Sequence, residues 1–385
     1  MPERVAVVAA GAGARGAYEA GALSVLLPEL WARGQRPTVF VGTSAGAINA
    51  AALAATAHLD DPVEIGARLL ALWRSVDRGQ VFRSLLSSGP STALRYAAAV
   101  AGLPVRLTGL LDTAPLTRTA STGVDWRQLG ANVRPGVVDA LAVVATSAHA
   151  RSTVFVARSP GVELPAGDED RALDYVDADI GAPHVLASCA IPLVFQPVHV
   201  DSPAEAAGWY TDGGVRLNVP LKPALALGAE RLAIVATHPH RYPSRPARSH
   251  AEQPDVATSA AGLLDAALSD AMVEDVRTLD KVNDLVAHGS ARGSQRDYRN
   301  VPYVFVGPKR RAELGAIATD VFRERYGGLR GARSPDFWLL HRLIVGDEPG
   351  AGSLLSYMFF EPEFIDRSIE LGRRHARNLL GGGPA

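Results

Sequence analysis

The chain has 385 residues, 47% of them hydrophobic, with 39 basic against 40 acidic side chains and a formal net charge of −1. That content supports a buried core and excludes wholesale disorder, while the balanced charge gives no global field for holding nucleic acid or an anionic membrane. A lone cysteine, Cys189, excludes an intrachain disulfide and so a disulfide-stapled secreted scaffold.

The head Met1-Pro2-Glu3-Arg4 is too acidic, and the apolar run after it too short, for a signal peptide. That run, Val5-Ala6-Val7-Val8-Ala9-Ala10, ends in the Gly-rich stretch Gly11-Ala12-Gly13-Ala14-Arg15-Gly16. It suits a strand buried on both faces, as in a parallel sheet. Residues 17–33 follow as a helix, with Ala20, Leu23, Leu27 and Leu30 at helical spacing and Gly34 and Pro37 closing it. Residues 38–41 form a second strand and 45–57 an Ala-rich helix. The uncharged run 38–57 is nearly long enough to span a bilayer, but Gly42, Thr43, Ser44, Gly46 and Asn49 inside it favour a buried strand and helix. This strand–helix–strand–helix order predicts right-handed parallel crossovers. Residues 83–115 are apolar, interrupted by Gly89, Pro90, Gly102 and Pro104, and suit short helices over the sheet. Strand-like sequence returns at 137–146 and 153–157. Residues 172–190 read as one or two helices ending at Pro192, and 232–237 as a further buried strand. A polar linker rich in Pro, Arg and Ser occupies 238–254. Beyond it, Leu264, Leu268, Met272, Val276, Leu279, Val282 and Val286 mark a long amphipathic helix. A last strand is expected at 301–306 and a C-terminal helix at 362–380, with Ile365, Ile369, Ala376 and Leu379 on one face.

Three patterns carry chemistry. Gly42-Thr43-Ser44-Ala45-Gly46 is a G-x-S-x-G at a strand-to-helix junction, the context in which that motif lifts a serine hydroxyl onto a sharp turn. The plainer alternative is a Gly-rich turn with a capping serine. Gly11-x-Gly13-x-x-Gly16 formally matches a dinucleotide fingerprint, which wants an acidic residue at the end of the second strand to hold a ribose. Here that strand runs into Gly42-Thr43-Ser44, with no Asp or Glu. The same loop can instead present backbone N–H groups to a tetrahedral oxyanion. Arg15 would add positive charge there, or else is an exposed loop arginine. A serine nucleophile needs a base. None of the ten histidines has an evident catalytic context, although His199 and His238, beside strand-like segments, stay open. Only two strands precede Ser44, which argues against the ordinary Ser–acid–His esterase. No group of His, Cys or Asp shows metal-ligand spacing.

The third pattern is Trp209-Tyr210-Thr211-Asp212-Gly213-Gly214-Val215, an acid before two glycines. Upstream stands Ala187-Ser188-Cys189-Ala190-Ile191-Pro192-Leu193-Val194-Phe195-Gln196-Pro197-Val198, downstream Asn218-Val219-Pro220-Leu221, and earlier Leu111-Asp112-Thr113-Ala114-Pro115-Leu116. With the Gly-rich loop, G-x-S-x-G and D-G-G in that order, the chain resembles the patatin-like phospholipase family over residues 4–227. The resemblance implies an α/β three-layer sandwich with a mainly parallel central sheet. Residues 4–227 would form its core, and 228–385 an α/β and helical completion of the same unit. It also implies a Ser–Asp dyad, with Ser44 as nucleophile and Asp212 as base, and neither histidine nor cofactor. Gly11, Ala12 and Gly13, with Arg15 and Gly16, match the oxyanion loop. Gly42 and Gly46 frame the elbow, and Gly213 and Gly214 complete the D-G-G. Ala12 departs from the family's usual run of three glycines; it is harmless unless that position needs a positive φ. Cys189 falls at the variable position of its stretch and is expected to be a small buried apolar residue.

The activity so implied is hydrolysis of a lipid ester through an acyl-enzyme, on phospholipid, lysophospholipid or neutral ester. Acyl transfer to an alcohol and a catalytically idle protein on the same fold are the alternatives. A dinucleotide-binding oxidoreductase is disfavoured by the missing ribose acid. The expected partner is a lipid, with no nucleic acid, and the expected location is the cytoplasm with peripheral membrane contact through 83–115. There Leu85, Leu86, Leu103, Val105, Leu107, Leu110 and Leu111 would supply apolar contact, and Arg95 and Arg106 flank a stretch suited to headgroups. With a carboxylate as base, activity is expected to lack a histidine-like limb near neutral pH.

Overall fold

The computed structural model describes residues 3–83, 109, 111–241, 256–288, 298–326 and 351–382. Strands β1 (Val5–Ala9) and β2 (Pro37–Thr43) are buried almost throughout and pair in parallel. Helix α1 (Gly16–Ala32) crosses between them and α2 (Ala45–Thr56) follows β2. The uncharged run 38–57 is thus a strand and a helix, and among the described residues no helix is long and apolar enough to cross a membrane. Next come α3 (Pro62–Ser75), α4 (Arg78–Val81), α5 (Ala114–Gly123) and α6 (Trp126–Val133). Asp61, Asp77 and Asp125 start α3, α4 and α6, each accepting a backbone N–H of the first turn.

The chain continues through β3 (Ala140–Ser147), β4 (Ser152–Arg158), β5 (Leu173–Asp177), α7 (Ala182–Ser188), β6 (Val198–Val200), β7 (Gly208–Asp212), α8 (Leu221–Ala226) and β8 (Arg231–Val235). It ends with α9 (Val256–Ala287), β9 (Tyr303–Val306), α10 (Glu313–Tyr326), α11 (Ala351–Met358) and α12 (Pro362–Leu380). The sheet runs β5-β4-β3-β2-β1-β8-β9, with β7 bridging β3 and β6. The run from β3 through β2, β1 and β8 to β9 is parallel; β4 and β7 are antiparallel to β3. Strand alternation splits the core in two. Val7, Phe40, Leu141 and Val143 pack with α1, α2 and α12 on one face. Val8, Val39, Val41 and Ala142 pack with α8 and α9 on the other, so the sheet lies between two helical layers.

Several expectations need revision. Residues 172–190 are not purely helical: β5 precedes α7. Among the described strands β5 pairs with β4 alone, and its polar residues are ion-pair partners, Asp174 for Arg151 at 2.7 Å and Asp177 for Arg158 at 2.6 Å. Those aspartates hide the strand pattern that a two-sided core strand would show. On α12, Leu379 is 38% exposed, while Phe364 and Leu371, absent from the expected face, are buried. The linker expected from 238 opens on a buried residue, His238, and residues 242–255 lie outside the described ones. So do Leu85, Leu86, Arg95, Leu103, Val105, Arg106, Leu107 and Leu110 of the expected membrane-contact segment; Leu111 is buried.

Candidate active site

The register of β3 brings the two principal residues together. Thr43, the last residue of β2, pairs with Val144, and Asp212, the last residue of β7, pairs with the adjacent Ala145. β4 occupies the opposite edge of β3, so β2 and β7 run toward each other along one edge and end face to face. Ser44 leaves β2 at that junction with φ 54° and ψ −125°, a region costly for any residue with a side chain. Its N–H donates to Ser188 Oγ at 2.7 Å, and that hydroxyl donates to the Val144 carbonyl at 2.5 Å. The turn also needs close backbone approach: a Cβ at Gly42 would sit 2.2 Å from the Gly46 carbonyl oxygen, and one at Gly46 2.3 Å from that of Ala9.

The Asp212 carboxyl is buried, and the Ser44 hydroxyl lies near enough to favour its ionised form. Asp212 Oδ1 also accepts the Gly214 N–H at 2.7 Å. Thr146 Oγ1 donates to the Asp212 carbonyl at 3.0 Å, and the Asp212 N–H donates to the Ala190 carbonyl at 2.8 Å. Gly213 packs against the Val144 carbonyl. Burial pushes the Asp212 carboxyl up to about 6, against the lowering effect of the Ser44 hydroxyl and of the bond from Gly214.

The Gly-rich loop lies beside this pair. Gly11 does not direct its N–H at the site; it donates to the Asn218 carbonyl at 3.0 Å. The space over Gly11 is filled by the Asn218 and Ser44 side chains, which leaves no cradle for a pyrophosphate. Ala12 has φ −149°, a conformation open to alanine, so the departure from three glycines costs nothing there. The positive φ, 54°, belongs to Gly13, where a Cβ would sit 2.3 Å from the Tyr357 carbonyl oxygen. Among the described residues, the N–H groups of Ala12 and Gly13 have no acceptor. Gly16 packs on Trp73, whose Nε1 donates to Asn49 Oδ1 at 2.7 Å; Asn49 Nδ2 donates to Glu19 at 2.9 Å. Arg15 is neither an exposed loop residue nor a cation facing a ligand. It is fully buried and bonded to α11.

Ser44 and Gly13 open onto a cleft with about 780 Å³ of free space, partly open to solvent. Its walls are apolar, including Trp73, Leu116, Trp126, Phe195, Met358 and Phe360. Cys189 also lines it; burial and the nearby Asp212 charge push its thiol well up, so it stays protonated. The open histidine candidates point elsewhere. Exposed His199 bonds Asp201 at 2.8 Å, and buried His238 bonds the Tyr357 hydroxyl at 3.0 Å. Ser188 and Asn218 stood inside recognisable motif stretches, but their bonds required the fold. Tyr357, Met358 and Phe360 gave no local signal.

A family model described as patatin-like phospholipase matches residues 7–225. Among solved structures, the chain is similar to VipD from Legionella pneumophila, at 14% identity and a TM-score of 0.34, covering 99% of this chain and 67% of that one. It is also similar to human GIVD cytosolic phospholipase A2 in complex with methyl gamma-linolenyl fluorophosphonate. There the identity is 13% and the TM-score 0.42; 99% of this chain is covered, but it spans only 58% of that protein. No curated protein matches the chain.

Proposed function

The chain belongs to the patatin-like phospholipase family, and on that premise we propose that it hydrolyses lipid esters with Ser44 as nucleophile and Asp212 as base. The observation that carries this reading is a strained Ser44 beside a buried carboxyl, lining an apolar cleft. The acyl chain occupies the cleft and sets the ester carbonyl over Ser44. Ser44 Oγ attacks the carbonyl carbon while its proton passes to the Asp212 carboxylate. The N–H groups of Ala12 and Gly13 face the oxyanion of the tetrahedral intermediate. The ester C–O bond then breaks, and the proton on Asp212 goes to the leaving alcohol oxygen. Water attacks the acyl-enzyme, returns a proton to Asp212, and Ser44 is released with its hydroxyl restored. A carboxyl raised to about 6 is a stronger base than an ordinary aspartate and is still ionised near neutrality.

Residues 4–227 and 228–385 act in this reading as one structural unit. In support, β8 and β9 extend the sheet from the β1 edge, and Met358 and Phe360 wall the cleft. α12 is fastened to α1 by the Tyr18–His375 hydrogen bond of 2.9 Å. The test is a fluorophosphonate probe applied to wild type, Ser44→Ala and Asp212→Asn. Wild type takes the label, Ser44→Ala does not, and ester turnover in Asp212→Asn falls by about 10²–10⁴. Equal labelling of Ser44→Ala would end the proposal.

A further inference from the structure

The loop that carries Gly13 is fastened from the far end of the chain. Arg15 Nε donates to Ser356 Oγ at 2.7 Å, and Nη2 donates to the Ser353 carbonyl at 2.9 Å and Ser353 Oγ at 2.8 Å. The guanidinium carbon lies 3.8 Å from the centre of the Tyr357 ring. Among the described residues no carboxylate pairs with this fully buried cation, and its Nη1 has no hydrogen-bond partner. An arginine buried without a counter-ion is costly unless its donors are satisfied. What it grips is α11. The Tyr357 carbonyl of α11 fills the space a Cβ would take at Gly13, and Tyr357 and Met358 line the cleft beside Ser44.

We infer that Arg15 is a positioning residue for ester cleavage. By clamping α11 it presses Tyr357 against Gly13, which aims the oxyanion-facing N–H groups and sets the acyl wall in one step. This rests on the ester-hydrolase reading. Loss of the clamp lets the Gly13 peptide and the wall shift together. Turnover then falls because the donors are misplaced, and long acyl chains are held less well because the wall has moved.

The test uses the full chain as wild type, Arg15→Lys and Arg15→Met. Lysine keeps the charge but loses the planar fork and the ring stacking. Active sites are counted by end-point titration with a fluorophosphonate, and kcat and KM are measured with p-nitrophenyl butyrate and p-nitrophenyl decanoate. We expect kcat per titrated site to fall at least tenfold in both variants, with KM rising more for decanoate than for butyrate. If only the number of titratable sites falls, with kcat per site and both KM values unchanged, Arg15 merely stabilises the fold and the inference is overturned. Should both variants fail to fold, Ser353→Ala/Ser356→Ala cuts the clamp and leaves the arginine in place. A smaller change in the same direction supports the inference, and unchanged constants overturn it. A wild type that neither turns over ester nor takes the probe overturns both readings; an active wild type with unchanged variants overturns this one alone.

Discussion

Replacing Asp212 by asparagine exchanges a buried carboxyl for a neutral amide of the same shape. The amide oxygen can still accept the Gly214 N–H, and the amide nitrogen can donate to Ser44 Oγ. What changes is the charge. Burial raises Asp212 from 3.8 to about 6, which corresponds to about 3 kcal/mol. The sign follows from proton counting. Between those two values the native state holds a proton that the unfolded chain has lost, so wild-type stability falls as pH rises through that window and levels off above it. Below 3.8 both states are neutral at this site and nothing is lost. Asp212→Asn never carries the charge and escapes the loss. Its stability relative to wild type should therefore grow by about 2 kcal/mol between pH 4.5 and pH 8, toward a total of about 3 kcal/mol. Urea denaturation of both proteins at the two pH values measures this. A variant less stable than wild type at pH 8, or one whose advantage does not change with pH, would refute the burial argument. The same substitution removes the base, so the stabilised protein should be the inactive one.

The raised carboxyl also alters the expected pH profile: the acid limb of kcat/KM should fall near 6, in the range of histidine, and not well below it. Because carboxyl ionisation has little enthalpy, that limb should stay put on warming and survive His238→Gln; a limb that moves with temperature like an imidazole would contradict Asp212 as base. At the loop, Ala12→Gly should leave turnover nearly unchanged, whereas Gly13→Ala forces a side chain into a positive φ against the Tyr357 carbonyl, costing about 1–3 kcal/mol of strain with most activity lost. Equal behaviour of the two variants in a p-nitrophenyl butyrate assay would count against the loop geometry. Finally, each methylene that enters the apolar cleft contributes about 0.8 kcal/mol, so kcat/KM should rise roughly fourfold per methylene until the cleft is full. A flat dependence on acyl length would mean that the chain does not lie there.

What could be read in the sequence follows how local each cause is. Val5–Ala9 and Pro37–Thr43 are apolar because both faces are buried, and continuous burial leaves a continuous pattern. Ser44 was visible because a sharp strand-to-helix turn forces glycines at Gly42 and Gly46, only two residues to either side. Asp212 was visible through its motif company, but its meeting with Ser44 depends on two strands ending at adjacent residues of β3, and no window of sequence contains that register. β5 was lost because an edge strand answers to its arginine partners more than to a core. Ala12 could not be judged because φ is set by the loop's packing, which comes from Asn218 and Ser44 at Gly11 and from Tyr357 at Gly13. Arg15 is the extreme case. Its partners Ser353 and Ser356 lie 338 and 341 residues away, and a fully buried arginine looks, in sequence, like any loop arginine next to a glycine. The motif stretches therefore marked the reacting atoms and their near supports Ser188 and Gly214, whereas the groups that hold Gly13 and the cleft wall in place come from a part of the chain that carries no motif.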